Sequence, residues 1–191
     1  MSGDVGSHSS KPEIFWGEIA PCEHIAQFYE DEGILLDALM GFVGGGLKAG
    51  ESAIVIATAE HLEALEERLV AFDVDMVSAR LDDRYISLRT DEALDMFMVK
   101  QWPDDQRFAR FVIDLITRAQ VNGRRVRAFG EMVALLWARG DTAATIRLEH
   151  LWHQVCQSQA FSLLCAYPKT GFTESPSKSI AEICAAHSRI I

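Results

Sequence analysis

Glu131 stands where a short apolar segment, Val126–Gly130, gives way to a run with helical spacing formed by Met132, Val133, Leu135 and Leu136. The alternation of Val126, Ala128 and Gly130 with Arg127 and Phe129 suits a buried strand. Glu131 therefore falls at a strand's C-terminal end and in the first turn of a helix. Open α/β sheets place their ligand sites there, and the helix dipole favours negative charge. Two readings stand side by side: a functional acid, or an acid that only helps to start the helix.

Other residues invite further chemistries. His150 and His153 are three apart on one expected helix, Glu149 and His153 are four apart, and Cys156 follows a turn later. Such pairs can share a face. No second ligand cluster and no CxxC pair accompanies them, so no metal or other cofactor is expected. Ser162, Cys156 and Cys165 lack a glycine elbow, and Cys165 lies among Leu163, Leu164 and Ala166, where a structural thiol is the default. The segment FYEDEGILL after the first strand has no GxxxxGK[ST], and Glu30, Asp31 and Glu32 would repel phosphates, so NTP hydrolysis is not expected. A small-molecule pocket is the fourth candidate. Tyr29, Glu131 and Tyr167 end different strands, His24, Arg127 and Trp137 can add polar and aromatic groups, and Cys165 completes the candidate ligand-binding set. Ordinary core edges share that composition.

The elements that would hold these residues alternate. Strands are expected at 24–29, 52–57, 85–88, 126–130 and 161–167. Helices are expected from Glu30 to about 49, then 59–72, 92–99, 104–121, 131–139, 142–158 and 179–191. Residues 73–83 read as a polar connection with a short edge strand. Thr58 is suited to cap the second helix, and Gly50 to stop the first. Gly44-Gly45-Gly46 is costly inside a helix, which implies a fraying end or close packing. The class is α/β: a three-layer sandwich with a mainly parallel sheet covered on both faces. Residues 1–12 are expected to be a disordered tail and 13–191 a single domain.

A formal net charge of −10 argues against a nucleic-acid partner, because phosphate binding needs a basic face. Cys22, Cys156, Cys165 and Cys184 are scattered, no secretion signal is visible, and no apolar stretch reaches membrane-spanning length. The expectation is a cytoplasmic protein with reduced thiols and no membrane contact.

Four stretches agree in order with one family: HIAQFYEDEGILLDALMGFVGGGLKAGESAIVIAT at 24–58, RAFGEMVALLWARGDTAATIRLEHLW at 127–152, FSLLCAYPKTGF at 161–172 and ICAAHSRII at 183–191. Together they resemble the MEDS (methanogen/methylotroph DcmR-like sensory) domain family over nearly the whole chain. The resemblance implies a RecA/KaiC-like core without its P-loop. The approach Phe42, Gly46-Leu47, Gly50-Glu51 to the second strand also looks like KaiC-type ATPases. In such a core the first strand would sit between the fourth and the last, bringing Tyr29, Glu131 and Tyr167 to one crevice. The implied function is non-catalytic sensing of a small molecule, such as a hydrocarbon derivative. The signal would pass to a histidine kinase or regulator protein in two-component regulation, and the kinship also admits a homo-oligomer. Two alternatives remain: a ligand-independent interaction module using Phe15, Trp16 and the C-terminal helix, and an enzyme using Glu131 with a neighbouring His or Arg.

Overall fold

The computed structural model describes residues 16, 19–169 and 177–191. The expected tail at 1–12, Phe15 and residues 170–176 lie outside the described residues. The chain runs β1 (His24–Tyr29), α1 (Glu32–Leu39), α2 (Gly45–Lys48), β2 (Ser52–Ala57), α3 (Ala59–Ala71), α4 (Met76–Leu81), β3 (Tyr85–Arg89) and α5 (Thr90–Phe97). It continues through β4 (Met98–Val99), β5 (Trp102–Pro103), α6 (Asp105–Ala119), β6 (Val126–Gly130), α7 (Met132–Ala138), α8 (Thr142–Gln159), β7 (Ser162–Pro168), α9 (Ser177–Ala186) and β8 (Arg189–Ile190). Six strands form one parallel sheet in the order β3-β2-β6-β7-β1-β8, and β4 and β5 form a separate antiparallel pair.

The three expected layers are present. Strand side chains alternate between two apolar faces. Ala53, Val55, Phe129, Leu164 and Ile25 meet Leu35, Leu39, Phe42, Leu65 and Leu69 on one side. Ile54, Ile56, Ala128 and Leu163 meet Phe97, Phe108, Val112, Met132, Leu148 and Trp152 on the other. In the second layer Phe108 packs edge-on against Phe97 and Trp152, with ring centroids 5.0 Å away in both cases. Each such pair contributes about 0.5–1.5 kcal/mol beyond area burial. Side-chain caps start α1 (Asp31 to the Ile34 amide, 3.0 Å), α3 (Thr58 to His61, 3.3 Å) and α6 (Asp104 to Arg107, 2.9 Å). A cap of this kind is worth about 1 kcal/mol.

Four expectations are corrected. β7, not β1, lies beside β6, so β1 does not sit between the fourth strand and β7. Every residue of 162–167 is buried, and a strand sealed on both faces gains most from neighbours on both edges. The C-terminal helix ends at Ala186 rather than running to 191. Arg189, Ile190 and Ile191 instead supply backbone partners to the outer edge of β1, which would otherwise present unpaired amides and carbonyls. Residues 76–81 are helical, because Asp75 accepts from both the amide (3.0 Å) and the hydroxyl (2.6 Å) of Ser78 and caps a turn where an edge strand was expected. The helix expected at 92–99 stops at Phe97. Lys100 and Gln101, at φ 49° and 63°, turn the chain back into the small hairpin.

Within the glycine triplet, Gly46 has a packing cause. Residues 40–44 form a π-helical turn between α1 and α2, against which Arg127 lies. Arg127 Nη1 donates to the carbonyl oxygens of Phe42 and Trp16, each at 3.1 Å, while its Nε donates to Glu51. A Cβ on Gly46 would meet Arg127 Cδ at 2.8 Å and Nε at 2.9 Å, whereas one on Gly45 would find Arg127 Nη1 no nearer than 4.0 Å. Gly46→Ala is therefore expected to lower stability in urea by about 1–3 kcal/mol. Gly45→Ala should raise it by roughly 0.5–1 kcal/mol through helix propensity. Equal effects at the two positions would remove the packing explanation.

Candidate functional site

The seven candidate residues do not share one crevice; they fall into four places. Tyr29 and Glu131 come together at the C-terminal strand ends. β2 and β6 are neighbours, yet α3 follows β2 onto one face of the sheet and α7 follows β6 onto the other. Chains that diverge in this way open a crevice at a topological switch point. Glu131 closes it. One carboxylate oxygen accepts from the Thr58 amide at 2.9 Å, and the other pairs with His61 Nδ1 at 2.8 Å, the Glu131 side chain being 8% exposed. The hydrogen bond to Glu131 raises the His61 pKa above its ordinary value against the opposing effect of burial. Burial, with Glu131 and Glu32 nearby, pushes the Tyr29 phenol up to about 12.

Arg127 lies near the other end of β6, in the ion pair with Glu51, which Arg125 also approaches at 3.5 Å. Trp137, on α7, is half-buried against the core of its face. Tyr167 points to the opposite face of the sheet from Tyr29.

Tyr167, Cys165 and His24 instead converge on Glu149, a carboxylate with no exposed surface at the middle of α8. The side chains of His24 and Cys165 project from neighbouring parallel strands onto the α8 face. His24 Nε2 lies 3.3 Å from Glu149 Oε2 and 3.4 Å from Cys165 Sγ, and Cys165 Sγ lies 3.7 Å from the same carboxylate oxygen. The Tyr167 hydroxyl donates to Glu149 Oε1. His187, just beyond α9, brings Nε2 to 3.5 Å from Glu149 Oε2. His24 Nδ1 faces the Ala186 carbonyl at 3.1 Å, and His187 Nδ1 faces that of Ile183 at 2.6 Å. Burial alone would push Glu149 up, but the facing His187 and His24 rings in their protonated form, together with the Tyr167 hydroxyl, hold its carboxyl below the ordinary value. Burial is the main cause of a lowered His187 pKa.

Four donors, on His24, Glu149, Cys165 and His187, thus lie within 4.8 Å of one another, the kind of grouping that can hold a metal. His61, Glu149 and His187 are the residues that the candidate ligand set misses. The helical spacing of Glu149 and His153 pointed toward this cluster, but the expected partners do not assemble. His150 is exposed, and Cys156, its thiol pushed up to about 12 by burial and by Cys22, donates to the Phe161 carbonyl at 3.0 Å. His153 is close, its ring 6.1 Å from that of His24.

Among the described residues no helix is long and apolar enough to cross a membrane. No curated protein matches the chain. Residues 23–188, which span both the strand-end carboxylate and every member of the buried cluster, match the family described as MEthanogen/methylotroph, DcmR Sensory domain. The chain therefore belongs to the MEDS family of sensory domains.

Proposed function

We propose that the domain is non-catalytic, senses a small molecule at the crevice between the ends of β2 and β6, and passes the signal to a partner protein. The observation that supports this reading most directly is the Glu131 bridge. It ties α3 in one layer to the start of α7 in the other, across a switch point. A ligand acts on a conformational equilibrium only by binding its two states unequally. One that competes for Glu131 or His61 favours the state in which the two layers are untied. The partner on this reading is a histidine kinase or regulator, and the ligand a small polar or hydrocarbon-derived metabolite with a group able to replace one partner of the bridge.

A specific feature favours the second reading, a ligand-independent interaction module. Val70, Phe72, Val77 and Leu81 are exposed at the end of α3 and on α4. Trp16, by contrast, packs on the Phe42 ring at 5.4 Å rather than forming an outward anchor.

A thermal-shift and calorimetric screen of small metabolites, including one-carbon compounds, halogenated compounds and nucleotides, separates the readings. A binder is expected whose stabilisation disappears in Glu131→Gln. A broad screen without a binder favours the module, and a binder indifferent to Glu131→Gln places the ligand elsewhere.

The bridge also predicts a pH dependence. A raised folded-state pKa means that the His61 contribution is fully present below its unfolded value, about 6.5, and is lost as pH rises through the folded value. The stability difference between wild type and Glu131→Gln, measured by denaturant titration, should be largest below the unfolded value of about 6.5 and should shrink as pH rises above it. A difference that stays constant or grows would show that His61 is not the charged partner of Glu131.

A further inference from the structure

We propose that His24, Glu149, Cys165 and His187 bind one divalent transition-metal ion, for which Zn2+ best suits the donor set. The proposal stands whether or not the strand-end crevice takes a small ligand.

A backbone carbonyl can only accept, so His24 and His187 each carry a proton on Nδ1, toward Ala186 and Ile183. A neutral ring so oriented presents a bare Nε2 lone pair. Both Nε2 atoms face Glu149 Oε2, itself an acceptor, because Tyr167 serves the other carboxylate oxygen. Within the cluster the Cys165 thiol proton is left for three acceptors, and His187 Nε2, fully buried, has no hydrogen-bond partner. Buried polar atoms are normally satisfied. A cation at the centre satisfies all of them.

The distances agree. Metal–ligand bonds of about 2.0–2.3 Å in a tetrahedral site put ligand atoms roughly 3.3–3.7 Å apart. Four ligand pairs here lie at 3.3, 3.4, 3.5 and 3.7 Å. The carbonyls on both Nδ1 atoms are the outer contacts that usually fix the tautomer of metal-bound histidine.

Charge balances as well. Binding releases the thiol proton, Cys165–SH + M2+ giving Cys165–S–M+ and H+, with no redox change. One thiolate, one carboxylate, two neutral imidazoles and M2+ then sum to zero, which suits a site with no exposed carboxylate surface. Nitrogen, sulfur and oxygen donors together select a borderline-soft ion. Four protein ligands close the coordination sphere, so the ion orders structure rather than activating water.

The test uses the full chain, stripped with a chelator and titrated with Co2+ alone, with circular dichroism to confirm folding. One Co2+ per chain is expected, with tetrahedral visible bands and a thiolate-to-metal charge-transfer band. Cys165→Ser should lose that band. His187→Gln should weaken binding by more than about 100-fold, beyond the ~10–100-fold that loss of a mere supporting contact costs. His150→Gln, exposed on the same helix as Glu149, should leave binding unchanged. If Cys165→Ser does not fold, His187→Gln, altered just beyond the last helix, decides the matter. Absence of binding in folded wild type, or a cobalt spectrum indifferent to both substitutions, overturns the assignment.

Discussion

Parallel strands cannot be closed by hairpins, and that constraint governs where chemistry can sit in this domain. Each parallel neighbour is reached through a crossover, whose helices must cover one face of the sheet or the other. Here the chain from β1 through β3 covers one face and the chain from β3 onward covers the other. The consequence is structural rather than incidental: neighbouring strands β2 and β6 send their chains to opposite sides, and so do β7 and β1. Glu131 lies at the first divergence. The second is spanned on the surface by Lys169 and Glu30, 2.8 Å apart.

The same layering explains why two glutamates of similar burial behave differently. Glu131 finds a backbone amide and a partly accessible histidine, both able to donate, so its charge is matched by ordinary hydrogen bonds. Glu149 is pressed between α8 and the sheet, where the available neighbours are a phenol, a thiol and two rings already committed through Nδ1. Only the phenol is an unambiguous donor. Taking a carboxylate out of water costs several kcal/mol unless it is compensated, so the two sites are under different pressure. One is complete as it stands, and the other calls for a cation.

Much of the architecture was legible because it is written in local pattern. SAIVIA can hardly be anything but a strand buried on both faces, and the stripe Phe108, Val112, Leu115, Ile116 fixes the inward side of α6. Thr58 and Gly50, the latter at φ 82°, mark their boundaries as expected. Strand order was not legible, since hydrophobicity reports that β7 is buried but not which strands flank it. Residues 189–191 were misread because nothing local distinguishes the end of an amphipathic helix from a strand fragment; the edge of β1 decides. The buried cluster was only half visible. Its members sit on β1, α8, β7 and the segment after α9, so no spacing rule joins them, and His24, Cys165 and Tyr167 entered the candidate set without Glu149 or His187. At the glycine triplet a fraying end and close packing could not be told apart for a similar reason: the partner that crowds Gly46, Arg127, lies some 80 residues on in sequence.

The placement of His187 gives the proposed metal site a consequence for sensing. Three of the donors are fixed by the sheet and by α8, but the fourth arrives only when the segment from α9 to β8 is docked. That segment is held to β1 by a short stretch of backbone pairing, and its Ser188 hydroxyl donates to the His24 carbonyl at 2.9 Å. On the proposed assignment, the undocked state offers an incomplete donor set and the docked state a complete one. Any ion that prefers the complete set must stabilise docking by the same free energy with which docking tightens the ion, because the coupling is reciprocal. The C-terminal segment is then the element whose position reports occupancy.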